Sequence, residues 1–407
     1  MKILQLTKKF PYPVKDGEVI GILNLTRGFA ELGHEVTVLS LNTKKHFFDL
    51  QQLPDDVKQL ARFIAIDIDT TIRKRDALKN LFTEDSYNIE RFYSKTYEEE
   101  LRNLLREESF DIILLEGIYL MRYYEAVRET LRETGNTKTQ VVLRPHNVEY
   151  KIWERLRDNE KNLLKRYYLN ILAKRMKRFE LSNIFRADAV VPVSKVDLDI
   201  FRSNSRSKTP AMAFPIGYVF DELPDFTAIN EESAVAFIGG MDWLPNYEGI
   251  KWFLRDVWPQ VLRQKKDAKF YLAGRNFPDD MKNMRMKGVR VLGEVQDARE
   301  FLLSKSICIV PLFAGSGMRV KIVEAMALGR AIVSTTVGAE SIDYRSGKNI
   351  HIADSARNFA TYITELLYHT DKRISMGKEA QQLVRESYDN RKLCKEMLHY
   401  LTSIRRP

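Results

Sequence analysis

At 407 residues the chain exceeds what a single hydrophobic core usually supports, which predicts two domains of about 150–200 residues each. Hydrophobic residues make up 44% and charged residues 29%, ordinary for a soluble globular chain, and no apolar run approaches the ~18 residues of a membrane-spanning helix. Two cysteines exclude a disulfide framework and a cysteine-based metal centre, while a net charge of +10 invites an anionic ligand or surface.

The chain opens with MKILQLTKKFPYP, whose apolar run is too short for a secretory leader, so a cytoplasmic location is expected. KILQLT reads as a strand, KKFPYPVKDGEV as a long loop, IGILNLTRGFAELG as an amphipathic helix stopped by Gly33, and HEVTVLSL as the next strand. Further apolar strands are RFIAIDI (62–68), FDIILLE (110–116), TQVVLRP (139–145) and ADAVVPVS (187–194), the signature of a parallel sheet covered on both faces. Between Lys151 and Arg186 stand eleven Lys/Arg against four Asp/Glu, a net +7 on a helical stretch. Leu164, Tyr168, Ile171 and Leu172 form an apolar stripe there that is expected to pack on the N-terminal domain, leaving the cations to face anionic lipid. No zinc-finger, RNP-type or Gly-X-X-Gly clamp accompanies this charge, so nucleic acid is not expected as a partner.

After a linker at 212–232 the pattern restarts. AVAFIGG (234–240), KFYLAG (269–274), VRVLGEV (289–295), SICIVPLF (306–313) and RAIVSTT (330–336) read as strands, with helices over 251–264 and 298–306. This predicts an α/β fold of two Rossmann-like halves, residues 1–211 and 233–370, with helices from 371 to 407 packing back on the first.

The stretch AGSGMRVKIVEAMALGRAIVS, 314–334, carries the chemistry. Gly315 and Gly317 permit a tight turn after a buried strand, and a helix from about Met318 to Leu328 follows. A helix N-terminus at the carboxyl edge of a parallel sheet favours phosphate, and Arg319 and Lys321 add full charges to its partial ones. Glu324 lies close enough to the helix start to accept hydrogen bonds from hydroxyls of the same ligand. The spacing is neither a Walker A loop nor the dinucleotide fingerprint, because no Gly-Lys-Ser/Thr follows and Lys321 stands near the third glycine's place. His146 in VVLRPHN, Gly17 in KDGEV and Arg275 after KFYLAG each sit at a strand end or in its loop, where ligands are met. Asp67/Asp69 and Asp197/Asp199 are Asp-x-Asp pairs, but the first alternates with isoleucine along a strand, and no metal site is assigned to either.

Nearly the whole chain resembles the retaining GT-B glycosyltransferases of family 4. GSGMRVKIVEAMALGRAIVST is similar to their donor-binding signature, with Glu324-Ala325-Met326-Ala327 matching its Glu-Ala-Met-Ala core. FPYPVKDGEV with LTRGFAELGHEVTVLS, HNVEY at 146–150, and FIGGMDWLPNYEGIKWFL are similar to the opening loop, the histidine loop and the start of the nucleotide-binding domain. The first acid of the family's Glu-x7-Glu motif would fall at position 316, where this chain has Ser316, and Met241 and Asn246 lie near the places of a loop Arg and Lys. The resemblance is to a subgroup with GSG-x-R-x-K. It implies two domains facing a cleft, and transfer of a sugar from a nucleotide-sugar donor to a glycan or lipid-linked acceptor with retention, in cell-surface polysaccharide synthesis. It also implies donor contacts at Gly17, Arg275, Gly315, Ser316, Gly317, Met318, Arg319, Lys321 and Glu324, with His146, Arg319 and Lys321 in catalysis. The nucleotide-sugar is then a substrate, and no cofactor and no metal are expected. Two other readings share the fold: a non-catalytic module that binds a glycan or partner, and a sugar-nucleotide epimerase.

Overall fold

The computed structural model describes residues 1–14, 16–71, 86–220, 224–229, 231–315 and 317–404. The chain divides into two compact units, one of residues 1–217, 316–318 and 390–407, the other of 218–315 and 319–389.

The first unit is built on a six-stranded parallel sheet in the order β3-β2-β1-β4-β5-β6, with β1 Lys2–Thr7, β2 Glu35–Thr43, β3 Arg62–Ile68, β4 Ile112–Glu116, β5 Gln140–Arg144 and β6 Ala189–Val190. Alternation along the strands gives each face its own core. Ile3, Val38, Ile112 and Leu114 point to one side, and Leu4, Leu39, Ile113 and Leu115 to the other. β6 is much shorter than the apolar run 187–194: Val193 N–H still reaches the Pro145 carbonyl at 3.3 Å, but Pro145 has no N–H to return the bond.

Helix Gly17–Glu31 is capped by Asp16, whose carboxylate accepts the N–H groups of Glu18 and Val19, each at 3.1 Å. The last helix, Asn390–Ser403, lies on it: a Cβ at Gly28 would fall 2.3 Å from Cys394 Sγ, so only glycine admits this approach. Cys394, Met397, Leu398 and Leu401 complete the core beneath, with Leu25, Phe29 and Phe214.

The second unit repeats the plan with the order β12-β11-β10-β7-β8-β9, with β7 Glu232–Ile238, β8 Phe270–Ala273, β9 Val289–Gly293, β10 Lys305–Val310, β11 Ala331–Ser334 and β12 His351–Ile352. The expected helix over 251–264 is interrupted. Helix Leu244–Trp252 passes through a π turn, Phe253–Val257, into Trp258–Gln264. Pro259 explains the break, since it offers no N–H and its ring crowds the carbonyl one turn earlier. Of the C-terminal helices, Thr370–Ser387 belongs to this unit and Asn390–Ser403 to the first. Among the described residues no helix is long and apolar enough to cross a membrane.

Candidate active site

In the second sheet the chain runs from β7 outward through β8 to β9, then returns to β10 on the other side of β7. The crevice outside the carboxyl ends of β7 and β10 is thus a topological switch point, where open α/β sheets hold ligands. The loops there pack backbone to backbone. Gly274 has φ +140, and a Cβ on it would lie 1.9 Å from the Gly239 carbonyl oxygen. Met241 N–H donates to the Arg275 carbonyl at 2.9 Å, which fixes the expected Arg275 at the end of β8 beside the loop after β7.

β10 feeds the loop that ends in helix Val320–Ala327, whose N-cap residue Arg319 makes no side-chain capping bond. Gly315 has φ +126, and a Cβ there would meet Arg319 Nη2 at 2.2 Å, so the glycine makes room for the guanidinium. That guanidinium lies 5.2 Å from the ring centroid of Trp243 in the loop after β7. Lys321 Nζ donates to Asn246 Oδ1 at 3.0 Å and stands 4.4 Å from the Phe237 ring, while Asn246 Nδ2 donates to the Gly240 carbonyl at 2.8 Å. One lysine therefore ties the helix start to the neighbouring glycine loop.

Burial pushes the Lys321 ammonium down to about 7, the Arg319 charge adding to the effect and Glu324 opposing it. Burial likewise raises the Glu324 carboxyl, with Lys321 pulling it back. Lys321 and Glu324, both with shifted proton affinities, thus share one strand end with the Arg319 guanidinium, as sites for charged ligands do.

The structure brings together Gly315, Arg319, Lys321 and Glu324, with Arg275 at the adjoining strand end. Ser316 lies outside the described residues. Gly317 and Met318 group with the first unit. There the Ile216 N–H donates to Met318 Sδ at 3.3 Å, and a Cβ on Gly317 would lie 2.7 Å from the His146 carbonyl oxygen.

The first sheet has its own switch point, between β1 and β4, and the expected His146 follows β5 close by. His146 Nε2–H donates to Glu116 Oε2 at 2.7 Å, Arg144 Nη1 donates to the same oxygen at 3.2 Å, and Gln5 Nε2 donates to Glu116 Oε1 at 3.1 Å. Thr26 Oγ1–H donates to Gln5 Oε1 at 2.6 Å, extending the network into helix Gly17–Glu31. Glu116 is fully buried. Burial alone would raise its carboxyl, but Arg144 and His146 outweigh that and hold it below the usual range.

Gly17 is the first residue of its helix and sits between two partners of one lysine. Lys9 Nζ contacts Asp16 Oδ1 at 2.8 Å and Glu18 Oε2 at 3.2 Å, and Lys8 Nζ contacts Glu18 Oε2 at 3.4 Å. Burial would raise the Glu18 carboxyl, yet Lys8, Lys9 and His146 bring it down to about 2.

Sequence reasoning did not single out Glu116, Gln5, Lys9, Glu18 or Trp243. The available signal was Glu116 as the acid that closes the apolar strand FDIILLE. Of the Asp-x-Asp pairs, Asp67 accepts from Asn42 Nδ2 at 2.8 Å and Asp197 follows the N-cap Ser194. Among the described residues no group of three or more His, Cys, Asp and Glu side chains is placed to hold a metal ion.

Residues 16–211 match the family model described as Glycosyltransferase Family 4, and residues 232–369 the model described as Glycosyl transferases group 1. An uncharacterized 44.6 kDa protein in the cps region of Klebsiella pneumoniae is 22% identical over 403 residues, covering 96% of this chain and 97% of that protein. Among solved structures, Anabaena HepE in complex with UDP aligns over 99% of this chain and 100% of its own at 13% identity, with a TM-score of 0.63. The sucrose-phosphate synthase of Thermosynechococcus elongatus aligns over 99% of both chains at 14% identity, with a TM-score of 0.70. A TarM mutant of S. aureus, in a complex that includes UDP, aligns over 98% of this chain and 99% of its own at 10% identity, with a TM-score of 0.67. These likenesses identify the fold as GT-B-like.

Proposed function

From the premise that the chain is a glycosyltransferase of the group 1, family 4 class, we propose that it moves a sugar from a nucleotide-sugar to a glycan or lipid-linked acceptor with retention at the anomeric carbon. The observation that carries this reading is the pairing of Arg319 and Lys321 at the start of helix Val320–Ala327, on the switch point of the second sheet. Departure of the nucleotide diphosphate leaves negative charge on its oxygens and positive charge on the sugar ring. Arg319, Lys321 and the helix N-terminus meet the first of these with charges already in place, a term that removes several kcal/mol from such barriers. With attack on the face the leaving group departs from, a diphosphate oxygen takes the acceptor's hydroxyl proton as the new glycosidic bond forms. No side chain of the protein then has to act as base. His146 is assigned the contact to the transferred sugar, its ring held by Glu116.

A UDP-linked donor is favoured by HepE and TarM, whose complexes contain UDP, and a role in cell-surface polysaccharide synthesis by the relative in a cps region. Incubation with a panel of UDP-, GDP- and ADP-sugars is expected to release nucleotide diphosphate from the UDP series, and NMR of the product to show the donor's anomeric configuration. Turnover is expected to persist in EDTA, since Arg319 and Lys321 can supply the positive charge that a metal would otherwise bring to the diphosphate. Absence of release from every donor would overturn the enzyme reading, and loss in EDTA restored by Mn²⁺ would overturn the metal-independent one.

Glu324→Gln tests the hydroxyl-reading role. Losing a charged acceptor is expected to weaken donor binding by about 1.5–3 kcal/mol, measured by calorimetry with intact donor. Binding of UDP alone tells which hydroxyls are read: an equal loss assigns Glu324 to the ribose and a much smaller one to the transferred sugar, while no loss with either ligand would remove the role.

A further inference from the structure

The basic span 151–186 is a helical hairpin in the first unit: Glu149–Asn159, a short turn, then Leu163–Asn183. Its base is anchored. Leu172, Ala173 and Met176 are buried, and Met176 joins the core beside Ile184 and Phe201. Glu180, fully buried, accepts the N–H groups of Glu149 and Tyr150 at 3.0 and 2.9 Å and so ties the second helix to the start of the first.

The apolar stripe was expected to be covered along its length, and it is not. Tyr168 and Ile171 are half-buried, whereas Leu163, Leu164 and Tyr167 are 77%, 84% and 69% exposed. These three occupy the first turn and a half of the helix, about 10 Å beyond Leu172 at 1.5 Å per residue. Lys161, Lys165 and Arg166 are exposed among them. Glu160 pairs with Lys165 at 2.5 Å and Asp158 with Arg157 at 2.9 Å, so four cations against two acids leave residues 157–167 with a net +2 that an anionic surface can meet, Lys165 exchanging its carboxylate for lipid phosphate there. Large apolar side chains ringed by cations at the end of a hairpin make an interfacial anchor.

We propose that this hairpin tip docks on an anionic membrane surface, with Leu163, Leu164 and Tyr167 entering the headgroup boundary and Lys161, Lys165 and Arg166 facing lipid phosphate. A second copy of the chain is a poor occupant, because it would bring the same cations together. An acidic peptide would need a groove, and a convex end with leucines more than three-quarters exposed offers none.

The test is sedimentation of the full chain with phosphatidylcholine vesicles containing increasing phosphatidylglycerol, at low and high salt. Binding is expected to rise with anionic lipid and to weaken with salt. Leu163→Ser with Leu164→Ser should lower vesicle affinity about tenfold or more. Lys165→Glu with Arg166→Glu should remove the dependence on phosphatidylglycerol. Both pairs are at the surface, and unchanged thermal melts would show that they fold. No binding to anionic vesicles at low salt, equal binding to neutral ones, or undiminished binding by the leucine variant would each overturn the proposal. So would sedimentation equilibrium showing a dimer that the leucine variant abolishes, with no vesicle binding.

Discussion

Replacing Lys321 with alanine is expected to lower kcat/KM by about 10²–10³, the usual loss when a charge preset at a developing anion is removed. The lysine is specified from two sides, by the helix it begins and by Asn246 on the adjoining loop, so a mobile surface cation cannot replace it. Its proton makes a second signature. With the ammonium pushed down to about 7, the ligand-free site loses its charge as pH rises through that value, and a bound diphosphate restores it. UDP binding above about pH 7 should therefore take up a proton, seen by calorimetry in two buffers of different ionisation heat. The sign for folding follows from the same shift: between about 7 and the ordinary 10.5 the unfolded chain holds the extra proton, so this group's contribution to stability grows with pH across that window. A folded Lys321→Ala protein turning over at near wild-type rate, or a UDP affinity without proton uptake, would remove the phosphate role.

Glu116→Ala should destabilise the first unit strongly. It leaves Arg144 without its carboxylate and His146 and Gln5 without their acceptor, all inside the protein, and breaking a buried pair in this way costs about 3–5 kcal/mol. For a unit of this size that is a fall in Tm of roughly 10 °C, read by differential scanning calorimetry. Because the carboxyl is held below its usual 4.5, its stabilisation is complete above that value and disappears as pH falls through the lower folded value. The variant should accordingly lose the steepest part of wild-type acid unfolding. An unchanged melt would mean that Arg144 and His146 find other partners.

The double Rossmann-like plan was legible because its strands are nearly continuous apolar runs, and each of the two sheets is parallel and covered on both faces. Gly315, Arg319, Lys321 and Glu324 were legible as a group because they fall within ten residues on one strand–loop–helix. Asn246 is 75 residues from Lys321, and the Glu116 network joins three strands and a helix, so no local pattern could reveal either. Periodicity found the stripe on helix Leu163–Asn183 but could not say where its cover ends. Leu164 and Leu172 have the same side chain, and only the packing of neighbours leaves one exposed and buries the other. The π turn at Phe253–Val257 has a local cause in Pro259, which stands inside the expected helix 251–264 and was the available signal that this helix is interrupted.

Helix Asn390–Ser403 supplies Cys394, Met397, Leu398 and Leu401 to the core that Leu25 and Phe29 begin. On a ribosome those two ends appear far apart in time. At roughly 5–20 residues per second, the face of helix Gly17–Glu31 around Gly28 waits about 20–70 seconds for its cover. The first unit thus completes its folding only after residues 390–403 have been made. A chain cut just before Asn390 would keep every residue of the second unit and leave an open apolar face on the first, a natural target for chaperones and proteases.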